Sequence, residues 1–252
     1  MVHLGALPGS PGYNGDFEAV KKRASIDAEA LRVGGADAVM IENFFDVPFF
    51  KTRVPPATIA SLAVAAAEVK RAIGDLPLGI NVLRNDGRSA VAIAVATGAD
   101  FVRVNVLTGA RLADQGIIEG EAAHILRDRA MLRSDVKIWA DVDVKHSSPL
   151  AERRIEDEVA DTIKRGGAST LIVSGAGTGG ATDPAFASRV ARLAGDCPVL
   201  IGSGATAETV DQFEGVAGFI VGSSLKPSID APIDEARVRA FAEALMTGAT
   251  TL

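Results

Sequence analysis

The stretch PVLIGSGATAETVDQFEGVAGFIVGSSLK, residues 198–226, carries the main indication of the fold. It contains two short apolar runs, each predicted to be a buried strand, and one helical segment between them. The first run ends in Gly-Ser-Gly and the second in Gly-Ser-Ser. Small residues at strand ends leave backbone N–H groups accessible, and such groups bind anions. The stretch therefore predicts a strand–helix–strand unit that holds a phosphate.

The same unit repeats along the chain. Eight short apolar runs alternate with helical patterns, which is typical of βαβ units and a parallel sheet. The predicted strands are Val2–Leu4, Ala38–Glu42, Leu78–Val82, Phe101–Val106, Val136–Val142, Thr170–Ser174, Val199–Gly202 and Phe219–Gly222. The predicted helices lie near 17–33, 56–73, 87–97, 119–132, 155–165, 184–194, 206–213 and 234–246.

The connections between these elements differ in length. Helix-to-strand joints are brief and often contain glycine, whereas strand-to-helix joints such as NFFDVPFFKTRVPP are long. Long ordered loops are usually functional, and in a (β/α)8 barrel they form the active-site face. A doubly wound open sheet uses the same units but leaves edge strands with polar alternation, which these short apolar runs lack. We therefore predict one α/β domain over residues 1–252, a single (β/α)8 TIM barrel.

Composition and net charge limit which binding partners and which cellular compartment we expect for this chain. The formal net charge of −6 and the pI near 5.2 argue against a nucleic-acid-binding surface. No apolar run reaches the roughly 18 residues of a membrane span, and no targeting segment is evident, so we expect a cytoplasmic protein. The single cysteine, Cys197, is predicted to be a buried thiol. The sequence leaves a homo-oligomeric assembly open.

Loops after the seventh and eighth strands of such barrels often bind phosphate. The phosphate-binding residues predicted on this ground are Gly202, Ser203, Gly204, Gly222 and Ser223. The alternative is that these residues form tight turns that require glycine.

Polar residues are concentrated at the other strand ends. The candidate catalytic residues are Glu42, Asp141, Arg103, Lys145 and His146. The candidate substrate-binding residues are His3, Asn81, Asn105, Asp143 and Ser174. Strand residues two apart share a face, so Arg103 is expected beside Asn105 and Asp141 beside Asp143, with Lys145 if the strand stays extended. A barrel interior holding such groups requires that they serve one another or a ligand.

Several of these side chains have two or more interpretations. Glu42 and Asp141 are either structural partners of Arg103 or carboxylates for acid–base catalysis or metal binding. Lys145 is a surface lysine, a binder of phosphate or carboxylate, or a Schiff-base nucleophile. His3 is a core histidine or a site residue. No cofactor is indicated, and the lack of a Cys/His cluster argues against zinc while leaving a divalent metal open.

The stretches MVHLGALPGSPGY, LGINVLRND, FVRVNVLTGARLADQGIIEG, ADVDVKHSSPL and GAGTGG together resemble the BtpA/SgcQ family from end to end. The resemblance implies a phosphate-binding TIM barrel of the ribulose-phosphate-binding-like type. One branch of that family is named for photosystem I biogenesis as a membrane-extrinsic factor. Another branch sits among sugar-uptake and sugar-phosphate genes and carries a nucleosidase label. The resemblance brings no established catalytic residues with it.

Two hypotheses from different classes follow. In the first, the chain is an enzyme that acts on a small phosphorylated sugar or nucleoside-like ligand by lyase, isomerase or glycosidic cleavage chemistry. In the second, it is a non-catalytic assembly factor with a vestigial barrel site. An open barrel mouth suited to an anion favours the enzyme, whereas a mouth closed by ion-paired side chains favours the assembly factor.

Overall fold

The computed structural model describes residues 1–175 and 181–248. Its main sheet has eight parallel strands in the order β1-β2-β3-β4-β7-β9-β10-β11. Their bounds are β1 (Val2–His3), β2 (Val39–Glu42), β3 (Leu78–Asn81), β4 (Phe101–Val104), β7 (Lys137–Val142), β9 (Thr170–Val173), β10 (Val199–Ile201) and β11 (Gly218–Phe219).

Seven α-helices follow the strands within the described residues. They are α1 (Phe17–Val33), α2 (Pro56–Ile73), α3 (Gly87–Thr97), α4 (Ala122–Met131), α5 (Ile155–Lys164), α6 (Pro184–Ala194) and α7 (Glu235–Gly248). Aspartates cap several of them: Asp16 accepts from Ala19 N–H at 2.9 Å, and Asp86 accepts from Ser89 N–H at 3.0 Å. Gly98 ends α3 in the left-handed region at φ 69°.

The first and last strands meet to close the sheet. The Met1 nitrogen donates to the Val221 carbonyl oxygen at 2.7 Å. Because the strand order also follows the chain around the sheet, the predicted (β/α)8 barrel is confirmed. None of the described helices is long and apolar enough to cross a membrane.

The barrel interior is layered with a period of two residues. Near the amino ends of the strands, Phe101 and Trp139 stack with ring centroids 3.7 Å apart. Met1, Met40 and Ile220 pack with them in one apolar cluster. The residues two positions further along these strands point into the same barrel, because strand side chains alternate in direction. Those residues are His3, Glu42, Arg103, Asp141 and Gly222. An apolar floor therefore supports a polar layer.

The segment after β10 is not the helix predicted over 206–213. It holds only a short 3-10 helix, Val210–Gln212. The Thr206 carbonyl accepts from the Thr209 N–H at 3.0 Å and from the Thr209 hydroxyl at 3.3 Å, so it closes a three-residue turn in place of the i→i+4 bond of an α-helix. A second 3-10 helix, Ser223–Leu225, follows β11.

A small antiparallel sheet on the rim is absent from the sequence prediction. Strands β5 (Ala110–Ala113), β6 (Gly116–Glu119) and β8 (Ser147–Pro149) pair in the order β6-β5-β8. Strand β6 ends at Glu119, where the fourth helix was predicted to begin, and α4 therefore begins only at Ala122.

Cys197 is only partly buried, which corrects the prediction of a buried thiol. The residue lies in the short joint between α6 and β10, at the outer end of the barrel. Burial still raises the pKa of its thiol.

Candidate functional site

The polar layer contains a buried cluster around Asp141. Arg103 Nε and Nη2 donate to the two carboxylate oxygens of Asp141 at 2.8 and 2.7 Å. Asn105 Nδ2 donates to Asp141 at 3.1 Å, and the Ser174 hydroxyl donates to it at 3.3 Å. Asn81 Nδ2 donates to Asn105 Oδ1 at 3.3 Å. The structure thus brings all five of these sequence-predicted residues together, with Asp141 at the centre as the partner of Arg103.

The charge of Arg103 is held in place by this pairing. Burial opposes the charged form, but the adjacent Asp141 carboxylate more than offsets this and raises the pKa of the guanidinium. Arg103 has five N–H donors and uses two of them on Asp141, so the guanidinium keeps further donors for a ligand.

His3 and Glu42 form a second group in the same layer. His3 Nε2 lies 3.4 Å from Glu42 Oε1, and the imidazole stacks on Phe44 with centroids 4.2 Å apart. Burial, reinforced by the charge of Lys226, lowers the pKa of His3 to about 2. His3 is therefore neutral at physiological pH. Its Nδ1 atom is buried without a hydrogen-bond partner in the described structure.

These groups line one cavity of about 300 Å³ at the carboxyl ends of the strands. Its walls include His3, Glu42, Arg103 and Lys145. The loops over residues 202–206 and 220–224 complete the wall. The predicted phosphate loops and four of the predicted polar side chains consequently face a common space.

The two loops carry backbone N–H groups that the fold does not use. Within residues 1–175 and 181–248, the N–H groups of Gly204, Gly222 and Ser223 donate to no protein acceptor. Gly202 differs, because its N–H donates to the Val173 carbonyl at 2.7 Å. The expectation that Gly202 offers its N–H to a phosphate is therefore wrong. Ser203 is buried at the loop base, and its hydroxyl accepts from Gly175 N–H at 3.1 Å.

Gly202 and Gly222 contribute by leaving room. A Cβ at Gly202 would lie 2.6 Å from the Ser174 hydroxyl oxygen and 2.5 Å from Ile172. A Cβ at Gly222 would lie 2.9 Å from the His3 ring. Any larger residue at either position would displace side chains that line or support the cavity.

The chain turns sharply after β7, which corrects the expectation of an extended strand through Lys145. Strand β7 ends at Val142, and Asp143 and His146 adopt left-handed φ values of 52° and 56°. As a result Asp143 does not lie beside Asp141. Its carboxylate instead accepts from Arg111 Nη2 at 2.5 Å, on the rim.

Lys145 reaches the cavity from this turn, whereas His146 is exposed and lies outside the lining. Arg84 Nη2 donates to the Lys145 carbonyl oxygen at 2.6 Å. Burial and the charge of Arg103 lower the pKa of Lys145. Burial likewise lowers the pKa of Arg84.

The sequence reasoning missed Arg84, Phe44 and Arg111. Arg84 belongs to the run LRND that directly follows the third predicted strand, and this position could have indicated a residue near the site. Phe44 directly follows Glu42 and Asn43 at the end of the second strand, so the sequence could also have predicted that it lies near the site. Arg111 acts through the rim sheet, which local sequence patterns did not indicate.

Among the described residues, no three His, Cys, Asp or Glu side chains come together as a set able to hold a metal ion. The GAGTGG motif extends over residues 175–180, of which 176–180 lie outside the described residues.

The family assignment follows from comparison of the whole chain. The profile of the BtpA family matches residues 1–247. The chain belongs to the BtpA family. It is 45% identical over 251 residues to photosystem I biogenesis protein BtpA from Synechocystis sp., covering 98% of this chain and 87% of that protein.

Solved structures similar to this BtpA-family chain are TIM barrels. N-(5'-phosphoribosyl)anthranilate isomerase from Pyrococcus furiosus superposes with a TM-score of 0.56 at 15% identity, covering 88% of this chain and 94% of the isomerase. KGPDC from Streptococcus mutans gives a TM-score of 0.58 at 16% identity, covering 90% and 92%. At such low identity these likenesses establish the shared fold.

Proposed function

We propose that this BtpA-family protein is an enzyme that acts on a small phosphorylated sugar or nucleoside-like substrate at the carboxyl ends of its barrel strands. The observation that carries the proposal is the shared cavity. It joins two Gly-Ser loops with uncommitted N–H groups to Glu42, Arg103 and Lys145. Backbone donors of this kind bind phosphate oxygens, and preorganised cations stabilise developing negative charge.

The chemistry of the two loops supports a phosphate site between them. Gly204, Gly222 and Ser223 offer N–H donors, and the glycine at position 222 keeps a side chain out of the space beside the His3 ring. Arg103 lines the same cavity from the polar layer, and its guanidinium stays charged because Asp141 holds it. A phosphate bound here would accept hydrogen bonds from the neutral backbone N–H groups of the loops. It would also face the positive charge of Arg103.

Glu42 is the group proposed to move protons. It lines the cavity and has no hydrogen-bonded cation among the described residues, whereas Asp141 is fully occupied by Arg103, Asn105 and Ser174. The neutral imidazole of His3 lies 3.4 Å away and limits how the carboxylate turns. Of the two carboxylates predicted from sequence, Glu42 is therefore the proposed acid–base residue and Asp141 the proposed structural partner.

Two comparisons bear on this proposal, one in favour of the enzyme and one in favour of the alternative. The name of phosphoribosyl anthranilate isomerase states that it acts on a phosphoribosyl compound, and that enzyme shares this fold. The relative named for photosystem I biogenesis supports the alternative of an assembly factor. A cavity lined by uncommitted donors has no evident purpose in a purely structural factor, so we favour the enzyme.

The test is thermal unfolding in the presence of paired ligands. Ribose 5-phosphate and inorganic phosphate are compared with ribose and chloride at equal ionic strength. A ligand present at 100 times its dissociation constant adds about 2.7 kcal/mol to the free energy of unfolding. For a chain of this size that corresponds to a rise in Tm of about 5–10 °C. Stabilisation by phosphorylated compounds alone supports the proposal, and equal Tm values with and without phosphate would overturn it.

A further inference from the structure

Lys145 occupies a position in the cavity that phosphate binding alone does not explain. Of the lysines in the described residues, Lys145 is the one that lines this cavity. No ion pair or side-chain hydrogen bond joins its ammonium group to another described residue. A charged lysine that is mostly removed from water usually has a carboxylate partner, and this one has only the more distant charges of Glu42 and Asp141.

The turn that carries Lys145 is held in an unfavourable conformation. Asp143 and His146, on either side, are non-glycine residues with left-handed φ values of 52° and 56°. Such conformations persist only where the surroundings impose them, and they are concentrated at functional sites.

Four contacts impose this conformation. Arg84 donates to the Lys145 carbonyl at 2.6 Å, and the Ser147 hydroxyl donates to the Val144 carbonyl at 2.6 Å. Arg111 binds the Asp143 carboxylate at 2.5 Å, and Glu158 accepts from Asp143 N–H at 3.1 Å. The backbone of Lys145 is therefore fixed from several sides while its ammonium group is left to the cavity.

The surroundings disfavour the charged form of the Lys145 amine. Burial and the neighbouring Arg103 guanidinium both lower the pKa of Lys145. A lysine next to another cation and away from water is the type that acts as a nucleophile toward carbonyl groups. A simple anion clamp would gain from a group that keeps its charge, such as arginine.

We propose that Lys145 Nζ forms an imine with the carbonyl carbon of a phosphorylated aldose or ketose. The proposal rests on the proposed function, since the same substrate places its phosphate at the Gly204 and Gly222–Ser223 loops. The neutral amine adds to the carbonyl carbon, and one amine proton passes to the carbonyl oxygen. The resulting hydroxyl leaves as water with a proton from solvent, which gives a protonated imine. Glu42, which lines the same cavity, is the carboxylate proposed to carry the first of these protons.

The test is reductive trapping. The full-length protein is incubated with dihydroxyacetone phosphate and sodium borohydride, and the labelled residue is located by peptide mass spectrometry. Reduction of the imine adds the mass of the ligand less one oxygen atom. Dihydroxyacetone without phosphate, and borohydride alone, serve as reagent controls. Inorganic phosphate in excess serves as a competitor.

Two variants complete the design. Lys145→Arg keeps the positive charge but cannot form the imine. Lys226 is the matched control lysine, because it is buried and burial also lowers its pKa, yet it does not line the cavity. Lys226→Arg is therefore expected to label like the natural protein.

The expected result is a label on Lys145 that depends on the phosphate of the ligand and falls with added inorganic phosphate. The label should drop to the borohydride-only level in Lys145→Arg, while that variant is still stabilised thermally by inorganic phosphate. Thermal stabilisation by dihydroxyacetone phosphate without a label, or equal labelling of Lys226, would overturn the imine and leave the phosphate site standing. Absence of both stabilisation and label would overturn the proposed function as well.

Discussion

Replacing Asp141 by asparagine is expected to destabilise the fold before it affects any chemistry. The Asp141 side chain is completely buried, and that of Arg103 is 3% exposed. Asparagine keeps the shape of aspartate but removes the charge that Arg103 Nε and Nη2 contact at 2.8 and 2.7 Å. An uncompensated guanidinium would remain inside the barrel. Breaking a buried pair in this way costs about 3–5 kcal/mol.

A double-mutant cycle separates the pair from its surroundings. Equilibrium urea unfolding is measured for the natural protein, Asp141→Asn, Arg103→Met and the double variant. We expect the double variant to be about 2 kcal/mol more stable than the sum of the single losses predicts, because it leaves no buried charge unpaired. The exposed pair of Arg239 and Glu235, whose Nη2 and Oε1 lie 2.5 Å apart, is the control cycle, with an expected coupling of about 0.3–0.5 kcal/mol.

The outcome decides between two roles for Asp141. Additivity within about 0.5 kcal/mol, with Asp141→Asn as stable as the natural protein, would refute the structural role argued here. Asp141 would then return to the candidates for acid–base catalysis. A large coupling energy would leave Glu42 as the carboxylate of the cavity that is open to a substrate.

Two further predictions concern His3 and its neighbour. Because the folded pKa of His3 is about 2, against a usual value of 6.5, the unfolded chain takes up a proton below pH 6.5 that the folded protein does not. The stability advantage of the natural protein over His3→Asn, measured by urea unfolding, should therefore fall by about 2.7 kcal/mol between pH 7.5 and 4.5, and parallel curves would contradict the low pKa. Gly222→Ala places a Cβ 2.9 Å from the His3 ring, so it should cost about 1–3 kcal/mol and abolish thermal stabilisation by inorganic phosphate. Gly5→Ala is the control, because a Cβ there would have its nearest contact at 3.4 Å; this variant should keep the stability and the phosphate response of the natural protein within error. Equal phosphate responses of the two variants would count against a phosphate at the Gly222 loop.

The layering of the barrel was readable from the sequence because it depends on local periodicity. A parallel strand alternates its side chains, and the closed topology brings all carboxyl strand ends to one face. The pairs Phe101 and Arg103, and Trp139 and Asp141, each place an apolar residue two positions before a polar one. Such spacing predicts an apolar floor below a polar layer without any knowledge of contacts.

The position of Asp143 was not readable, since it depends on pairing between distant segments. Strand β5 pairs with β8, which brings Arg111 of the rim sheet to Asp143. Left-handed φ values at non-glycine residues leave no mark in local propensity. The sequence therefore predicted the strand as far as Val142 and failed at the turn that follows it.

The polar layer divides into two halves that differ in whether their polar groups have hydrogen-bond partners. At the carboxyl ends of β4, β7 and β9, the carboxylate of Asp141 accepts hydrogen bonds from Arg103, Asn105 and Ser174. This carboxylate therefore needs no ligand to complete its hydrogen bonds. At the carboxyl ends of β1, β10 and β11, His3 Nδ1 lacks a hydrogen-bond partner among the described residues. The loops that follow β10 and β11 hold backbone N–H groups that donate to no described acceptor. Buried polar groups left without partners are costly unless a ligand or water completes them. A phosphorylated ligand is therefore expected at the seam where the first and last strands meet, in the cavity that Lys145 also lines.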